Sequence, residues 1–331
     1  MTTLEKILLL IIIIFILGPI ILFLYQIGYK YHVSEKNLPE RYGKNSWVII
    51  TGASRGQGKY LACEFASRKF NLILIGRKST NAVAEYIRTK YNVQVKVIIR
   101  DFSESLNNNW WDEIEELFNG QYDISLLVNN VGNRSASNPS HLQSDDKIRN
   151  SLITGTYPQI RLTNLSIKFM IERMKLKPEY KCGIIFNTAQ CIHPTFLLSP
   201  YSFTGEISVP YLSVYEATNA FGYYHANSLY KEYKDSNPNI DLLIIMPGAV
   251  ITENTEFLKS TPFSVDVKTF SKNIIRLLGN WQGPTCAYWG HDISSILIGL
   301  APWTKEKMLK KVGLTLSKNL DQSNSDPKLL L

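Results

Sequence analysis

Three glycines at positions 52, 56 and 58 stand in Thr51-Gly52-Ala53-Ser54-Arg55-Gly56-Gln57-Gly58, directly after the apolar run Trp47–Ile50. Glycines at that spacing let a strand turn sharply into a helix with its backbone bare. Main-chain N–H groups and the positive end of a helix dipole then converge, and the ligand that suits them is a pyrophosphate. A glycine-rich run alone is an ordinary turn. Here a strand signal precedes it and an amphipathic helical stretch (58–68) follows, the context a dinucleotide site requires.

A dinucleotide also needs its adenine ribose recognised at the end of the second strand. An acid serves there for NAD, and a base accommodates the 2′-phosphate of NADP. In this chain Asn71-Leu-Ile-Leu-Ile-Gly76 runs into Arg77-Lys78 without a carboxylate, and Arg55 lies inside the glycine loop. Guanidinium groups fork onto phosphate oxygens, so the pair favours NADP(H). The plainer alternative is two surface arginines beside a loop.

The elements that must position these groups are visible as an alternation. Apolar or β-branched runs occur at 47–50, 72–75, 93–99, 124–128, 183–186 and 241–246, with helix-length stretches at 58–69, 80–90, 110–118, 160–174 and 214–234 between them. Buried parallel strands joined by crossover helices produce such a pattern. It predicts an α/β, Rossmann-type doubly wound parallel sheet of about seven strands, with ligands at the C-terminal strand ends. With 331 residues, 45% of them apolar, the chain can fill one such core.

The net charge of +8 raises the question of nucleic acid. Basic residues are scattered, no basic stripe is interleaved with aromatics, and no nucleic-acid motif is present, so no nucleic-acid partner is expected. A phosphate-bearing ligand or an anionic membrane surface accounts for the excess. Ile7 to Tyr25 is an uncharged run of nineteen residues. At ~1.5 Å per residue a helix of that length just spans a bilayer core of ~30 Å. A cleaved leader would have a shorter apolar region and a small-residue cleavage site, and neither is found. Gly18-Pro19 predicts a kink that membrane helices tolerate. Lys30, Lys36, Arg41 and Lys44 follow the run against Lys6 before it, which places the bulk of the chain in the cytosol. Cysteines 63, 182, 191 and 286 are widely spaced, form no metal or redox pattern and suit a reducing compartment. The expected organisation is a transmembrane anchor (1–30), a polar linker (31–45), a dinucleotide-binding domain (46–315) and a polar tail (316–331). The apolar stretch 293–303 is too short to span and is either a core helix or an interfacial segment.

At this point the chain resembles the short-chain dehydrogenase/reductase family over roughly residues 45–315. The likeness rests on Thr51-Gly52-x-x-x-Gly56-x-Gly58, on Arg100-Asp101-Phe102, on Asn129-Asn130-Val131-Gly132 after a strand, and on Pro247-Gly248-Ala-Val250-Ile-Thr252 after another. The resemblance implies that Gly52, Ser54, Arg55, Gly56, Gln57 and Gly58 surround the phosphates and Arg77 the 2′-phosphate. It puts Asp101 at the adenine amine, Asn129, Val131 and Gly132 beneath the adenine ribose, and Pro247, Gly248, Val250 and Thr252 around the nicotinamide carboxamide. The anchor and the Val-Asn-Asn-Val-Gly wording are most similar to the microsomal branch, with its very-long-chain 3-oxoacyl-CoA reductases and 17β-hydroxysteroid dehydrogenases. That likeness implies an endoplasmic-reticulum, single-pass protein, a lipid-type ketone as substrate, and a homodimer through helices 160–174 and 214–234.

The family reduces carbonyls with a tyrosine, a lysine four residues later, a serine and an asparagine. Val214-Tyr215-Glu216-Ala217-Thr218-Asn219-Ala220-Phe221 aligns with the family's tyrosine helix, so Tyr215 is the tyrosine and Asn219 replaces the lysine. Asparagine can bond a ribose hydroxyl but carries no charge to depress a phenol pKa. Lys231 is more than four helical turns away. Gly183-Ile-Ile-Phe-Asn187 matches the strand before the serine, but Thr188-Ala189-Gln190 follows it, with Gln190 in the aligned place, Thr188 on the opposite phase and Ser202 inside a longer connection (191–210). Asn150 reaches the asparagine's place only with a register shift. A protonated phenol with a pKa near ~10 serves reduction at neutral pH, so surviving activity would be NADPH-driven. Two readings stay open: a lipid-ketone reductase with a degenerate tetrad, and a pseudoenzyme that binds NADP(H) as a scaffold or sensor. A third mechanism, through Glu216, Gln190 or the 191–213 insertion, has no spacing to favour it.

Overall fold

The computed structural model describes residues 2–133, 139–188, 192–193, 205–206, 209–236, 240–253, 255, 260–300, 310 and 314. Seven strands form one parallel sheet: β1 (Trp47–Thr51), β2 (Asn71–Gly76), β3 (Val95–Ile99), β4 (Ile124–Asn129), β5 (Gly183–Asn187), β6 (Asp241–Ile245) and β7 (Gly283–Thr285). In these labels the order is β7-β6-β5-β4-β1-β2-β3, with every neighbour pair parallel. The order reverses between β1 and β4, which makes the crevice at their C-terminal ends the place for a ligand. The Rossmann-type expectation of about seven strands holds. Sequence periodicity marks only six, because β7 is three residues long and contains Gly283 and Pro284.

Single strands feed both faces of the sheet. Val48 and Ile50 of β1 join Leu61, Phe65, Val83 and Phe270 in one core, whereas Ile49 joins Leu162, Met170 and Ala226 in the other. Alternation of side chains along a strand forces this division, and each such buried aliphatic contributes roughly 1.5–3 kcal/mol. The first face carries α4 (Gly56–Ser67), α5 (Thr80–Tyr91) and α9 (Val267–Leu277); the second carries the short α6 (Asp112–Glu115), α7 (Asp145–Leu176) and α8 (Ser213–Tyr233).

Helix α7 starts fifteen residues earlier than its periodicity suggests and runs through Gly155 and Pro158. Packing explains why those breakers are accepted. A Cβ at Gly155 would lie 2.6 Å from Thr218 Cβ, so glycine there lets α7 and α8 touch closely, and Pro158 is buried in the helix.

The segment expected to be a polar linker contributes to the core. It forms α3 (Leu38–Tyr42), with Leu38 and Tyr42 fully buried. Arg41 forks onto Asp241 of β6 at 2.7 and 3.0 Å, and the Tyr42 hydroxyl donates to the same carboxylate at 2.7 Å.

The expected single membrane helix over Ile7–Tyr25, kinked at Gly18-Pro19, is not found as one helix. The run is divided into α1 (Thr3–Ile12), a π turn (Ile13–Leu17) and α2 (Gly18–His32). Pro19 lacks an N–H, and the turn before it widens to the π pattern instead of simply kinking. Among the described residues no helix is long and apolar enough to cross a membrane. The stretch 293–303 lies largely within a further helix, α10 (Trp289–Leu300).

Candidate active site

Gly52 and Gly56 have φ of +66° and +55°, values open to glycine at little cost. The stronger constraint is at Gly58, where a Cβ would lie 2.4 Å from Gly52 O and 2.6 Å from Asn130 Nδ2. The turn is thus closed against its neighbours, with no room for side chains between it and the β4 loop.

Three strand ends are tied together there. The Asn130 amide donates to Thr51 O (3.0 Å) and Gly52 O (3.3 Å), while the Thr51 hydroxyl accepts from the N–H of Asn130 (2.9 Å) and of Val131 (3.1 Å). Asn187, at the end of β5, donates to Asn130 Oδ1 at 2.7 Å and to Gln57 Oε1 at 2.8 Å. Asn187 Oδ1 is buried and has no hydrogen-bond partner among the described residues. An orphaned acceptor beside a cradle whose turn carries glycine at 52, 56 and 58 fits a polar ligand that brings its own hydroxyls. Asn187 had no role assigned from the sequence, although the Gly-x-Ile-x-Asn strand end was its signal.

The remaining predicted cofactor residues lie around this cradle. Arg77 follows β2 at its C-terminal end and Arg55 precedes α4; both are exposed, and neither is ion-paired among the described residues. That leaves both guanidinium groups available to a phosphate. Ser54 is half-buried in the turn, and Asp101 caps the short helix after β3 by accepting from Ser103 N at 3.0 Å. Gly132 is exposed and Val131 half-buried. Asn129 departs from expectation: its side chain is buried and its amide donates to Thr163 of α7 at 2.8 Å, away from the cradle. Alternation along the strand sends Asn129 to the α7 face and leaves Asn130 as the residue that meets the glycine turn.

On the other side, Pro247 and Val250 are buried at the end of β6, and Ala249–Ile251 pairs with Ser264–Asp266. The loop then crosses to the glycine turn, where Thr252 Cβ would be 3.8 Å from a Cβ on Gly56. The next residue, unforeseen from the sequence, is Glu253. Its carboxylate accepts from Gly56 N at 3.0 Å and from Lys59 Nζ at 3.3 Å. Partial burial works to raise its pKa, but these hydrogen bonds hold it below the usual carboxylate range.

Tyr215 lies in the first turns of α8, half-buried, and its carbonyl accepts from Thr218 Oγ1 at 2.8 Å. Asn219 is half-buried one turn along, on the same face. Lys231 is near the far end of α8, about 24 Å along the helix axis from Tyr215. Thr188 is buried and its hydroxyl donates to Ile245 O at 3.2 Å, so the strand edge uses it. Asn150 is in α7. Gln190 and Ser202 lie outside the described residues, as does most of 191–208. Glu216, beside Tyr215, has a buried Oε2 without a hydrogen-bond partner among the described residues, and burial pushes its pKa up to about 8. Among the described residues no cluster of His, Cys, Asp and Glu could hold a metal ion.

The sequence model of the short chain dehydrogenase family matches residues 46–262. The chain is 30% identical over 281 residues to the very-long-chain 3-oxoacyl-CoA reductase of Mus musculus, covering 83% of this chain and 80% of that protein. It is 29% identical over 272 residues to the 17-beta-hydroxysteroid dehydrogenase type 3 of Homo sapiens, covering 81% and 79%. The fold resembles that of a short-chain dehydrogenase from Sphingobium yanoikuyae solved in complex with NADPH, at a TM-score of 0.59 and 19% identity, covering 86% of this chain and 99% of that one.

Proposed function

Because this chain belongs to the short-chain dehydrogenase family, we propose that it binds NADP(H) at the glycine cradle and reduces a ketone of a lipid-derived substrate at Tyr215. The observation that carries the cofactor reading is the closed turn at Gly52–Gly58, locked by Asn130 and Asn187, with Arg55 and Arg77 unpaired among the described residues. NADPH, when bound, supplies the reducing equivalent. Tyr215 donates a proton to the ketone oxygen, and Asn219, one turn along, holds a ribose hydroxyl. Without a lysine cation beside the phenol, reduction is favoured over alcohol oxidation, which needs a tyrosinate. A 3-oxoacyl-CoA or a steroid is the substrate class that the names of the relatives support.

The N-terminal helical segments serve as the anchor in this reading. They follow one another without a gap, and Leu8, Leu9, Ile14, Leu17 and Leu22 are exposed. A run of exposed aliphatics of that kind needs a hydrophobic partner, and the bilayer of the endoplasmic reticulum, with the main domain cytosolic, provides it. The homodimer contact falls on α7 and α8, where Leu152, Phe221 and Tyr224 are exposed.

One observation favours a second reading. Asn219 stands where the family carries lysine, and Lys231 is too distant to replace it. A pseudoenzyme that binds NADP(H) as a scaffold or sensor would keep the cradle and lose the chemistry. Purified full-length protein in detergent micelles, titrated with NADPH and assayed with 3-oxoacyl-CoA and steroid ketones, separates the two. Turnover above a Tyr215→Phe control supports the reductase; binding without turnover supports the pseudoenzyme; absence of NADPH binding defeats both.

A further inference from the structure

His291 is fully buried in the first turn of α10, and the mechanism above does not use it. Its ring is gripped on both edges by the loop that follows β6. Gly248 N donates to Nδ1 at 3.2 Å, and Nε2 lies 3.2 Å from Ala249 O. Gly248 N can only donate and Ala249 O can only accept, so the imidazole is neutral with its proton on Nε2. Burial also holds its pKa below the ordinary histidine value. The ring packs against Phe270 and Tyr288, with centroids 5.6 and 5.0 Å away.

The next residue secures the turn that carries this ring. Asp292 accepts from Lys30 Nζ at 2.8 Å and from the Tyr31 hydroxyl at 2.7 Å, and the Lys30–Asp292 pair is almost wholly shielded, at 6% and 3% exposure. Lys30 Nζ also sits 5.5 Å from the Trp281 ring centroid. Lys30 and Tyr31 belong to the C-terminal end of α2. A continuous set of contacts therefore runs from the end of the N-terminal helices, through Asp292 and His291, to the N–H of Gly248 and the carbonyl of Ala249.

We propose that His291 is a positioning residue for the nicotinamide half of the cofactor, held in place by the Lys30–Asp292 pair at the end of the N-terminal helices. The inference rests on the dinucleotide reading above. His291 fixes the N–H of Gly248 and the carbonyl of Ala249, immediately before Val250 and three to four residues before Thr252, where the loop crosses to the glycine turn. The adenosine half meets other elements, at β1, β2 and β4. Loss of the imidazole therefore loosens one half of the site only.

The test uses full-length protein in detergent micelles and compares the Kd for NADPH with that for 2′,5′-ADP, which lacks the nicotinamide. His291→Phe keeps a ring but removes both hydrogen bonds, and should weaken NADPH binding about tenfold while leaving 2′,5′-ADP unchanged. His291→Gln, whose amide carries one acceptor and one donor, should recover part of the loss. Asp292→Asn spares the imidazole and should shift the same ratio in the same direction by less. An unchanged ratio in the His291 and Asp292 variants, or equal losses for both ligands, overturns the proposal. If wild-type protein binds 2′,5′-ADP but not NADPH, the positioning role fails while the adenosine site stands; if it binds neither, the dinucleotide reading falls and takes this inference with it.

Discussion

The side-chain amide of Asn187 donates to Asn130 Oδ1 at 2.7 Å, joining residues 57 positions apart at the ends of neighbouring strands. Asn130 in turn bonds the carbonyls of Thr51 and Gly52. The glycine turn is thus held by side chains from two other strands. Asn187→Ala strips Asn130 and Gln57 of a donor each and should cost about 1–3 kcal/mol of stability. Denaturant unfolding should show a lower midpoint, and NADPH titration a weaker Kd. Unchanged values in both would mean that the turn holds its shape without Asn187.

Arg77 leaves β2 exposed and unpaired among the described residues. If it meets the 2′-phosphate, Arg77→Glu should weaken NADPH binding about 10- to 100-fold, the range for losing charged hydrogen bonds, and bring NADH to parity or better. Parallel titrations with both nucleotides decide this. Equal effects on the two would remove Arg77 from cofactor selection.

Asn219 stands one helical turn from Tyr215, where a cation would lower the phenol pKa. General acid–base groups contribute ~10²–10⁴ in rate, so Asn219→Lys should raise ketone reduction at least about tenfold if the rest of the site is competent. It should also move the pH profile of turnover to lower pH. No gain would indicate that more than the lysine is missing.

Glu216 titrates near 8 because it is buried, against an ordinary carboxyl value near 4.5. Below pH 4.5 it is neutral in both folded and unfolded chains and carries no penalty. Between those values the folded state holds a proton that the unfolded chain has released. Stability therefore falls as pH rises, by up to about 1.4 kcal/mol per pH unit. Glu216→Gln should gain on the wild type from pH 5 to 8, measured as the difference in Tm across that window. A constant difference would place Glu216 in contact with water.

Glu253 puts a carboxylate on the first N–H of α4, where a dinucleotide phosphate would also seek the helix dipole. Two anions compete for one donor, so Glu253→Gln should tighten NADPH binding, about fivefold at low ionic strength and less in high salt. Weaker binding in this variant would instead make Glu253 a support for the loop.

The alternation of apolar runs with helical stretches, the glycine turn and the strand-end asparagines are local patterns, and local patterns determine local structure. They sufficed for a parallel α/β sheet, for its ligand crevice and for Tyr215 at a helix start. They also determined an apolar N-terminus, but not its division at Ile13–Leu17, because hydropathy registers side chains and the π turn is a matter of backbone bonding around Pro19. Other features depend on which distant segments meet. Asn187 closes on Asn130 only because β5 lies beside β4; Asn129 turns away because α7 supplies Thr163; His291 and Glu253 matter because the chain after β6 returns to the crevice. By its position Lys30 is a flanking charge; only the fold sets Asp292 against it, 262 positions away. Residue types and spacing determined what this crevice is built to hold. Which side chains hold it was decided by strand order and helix packing, since a hydrogen bond requires two groups within about 3 Å and spacing along a chain does not fix that distance across a fold.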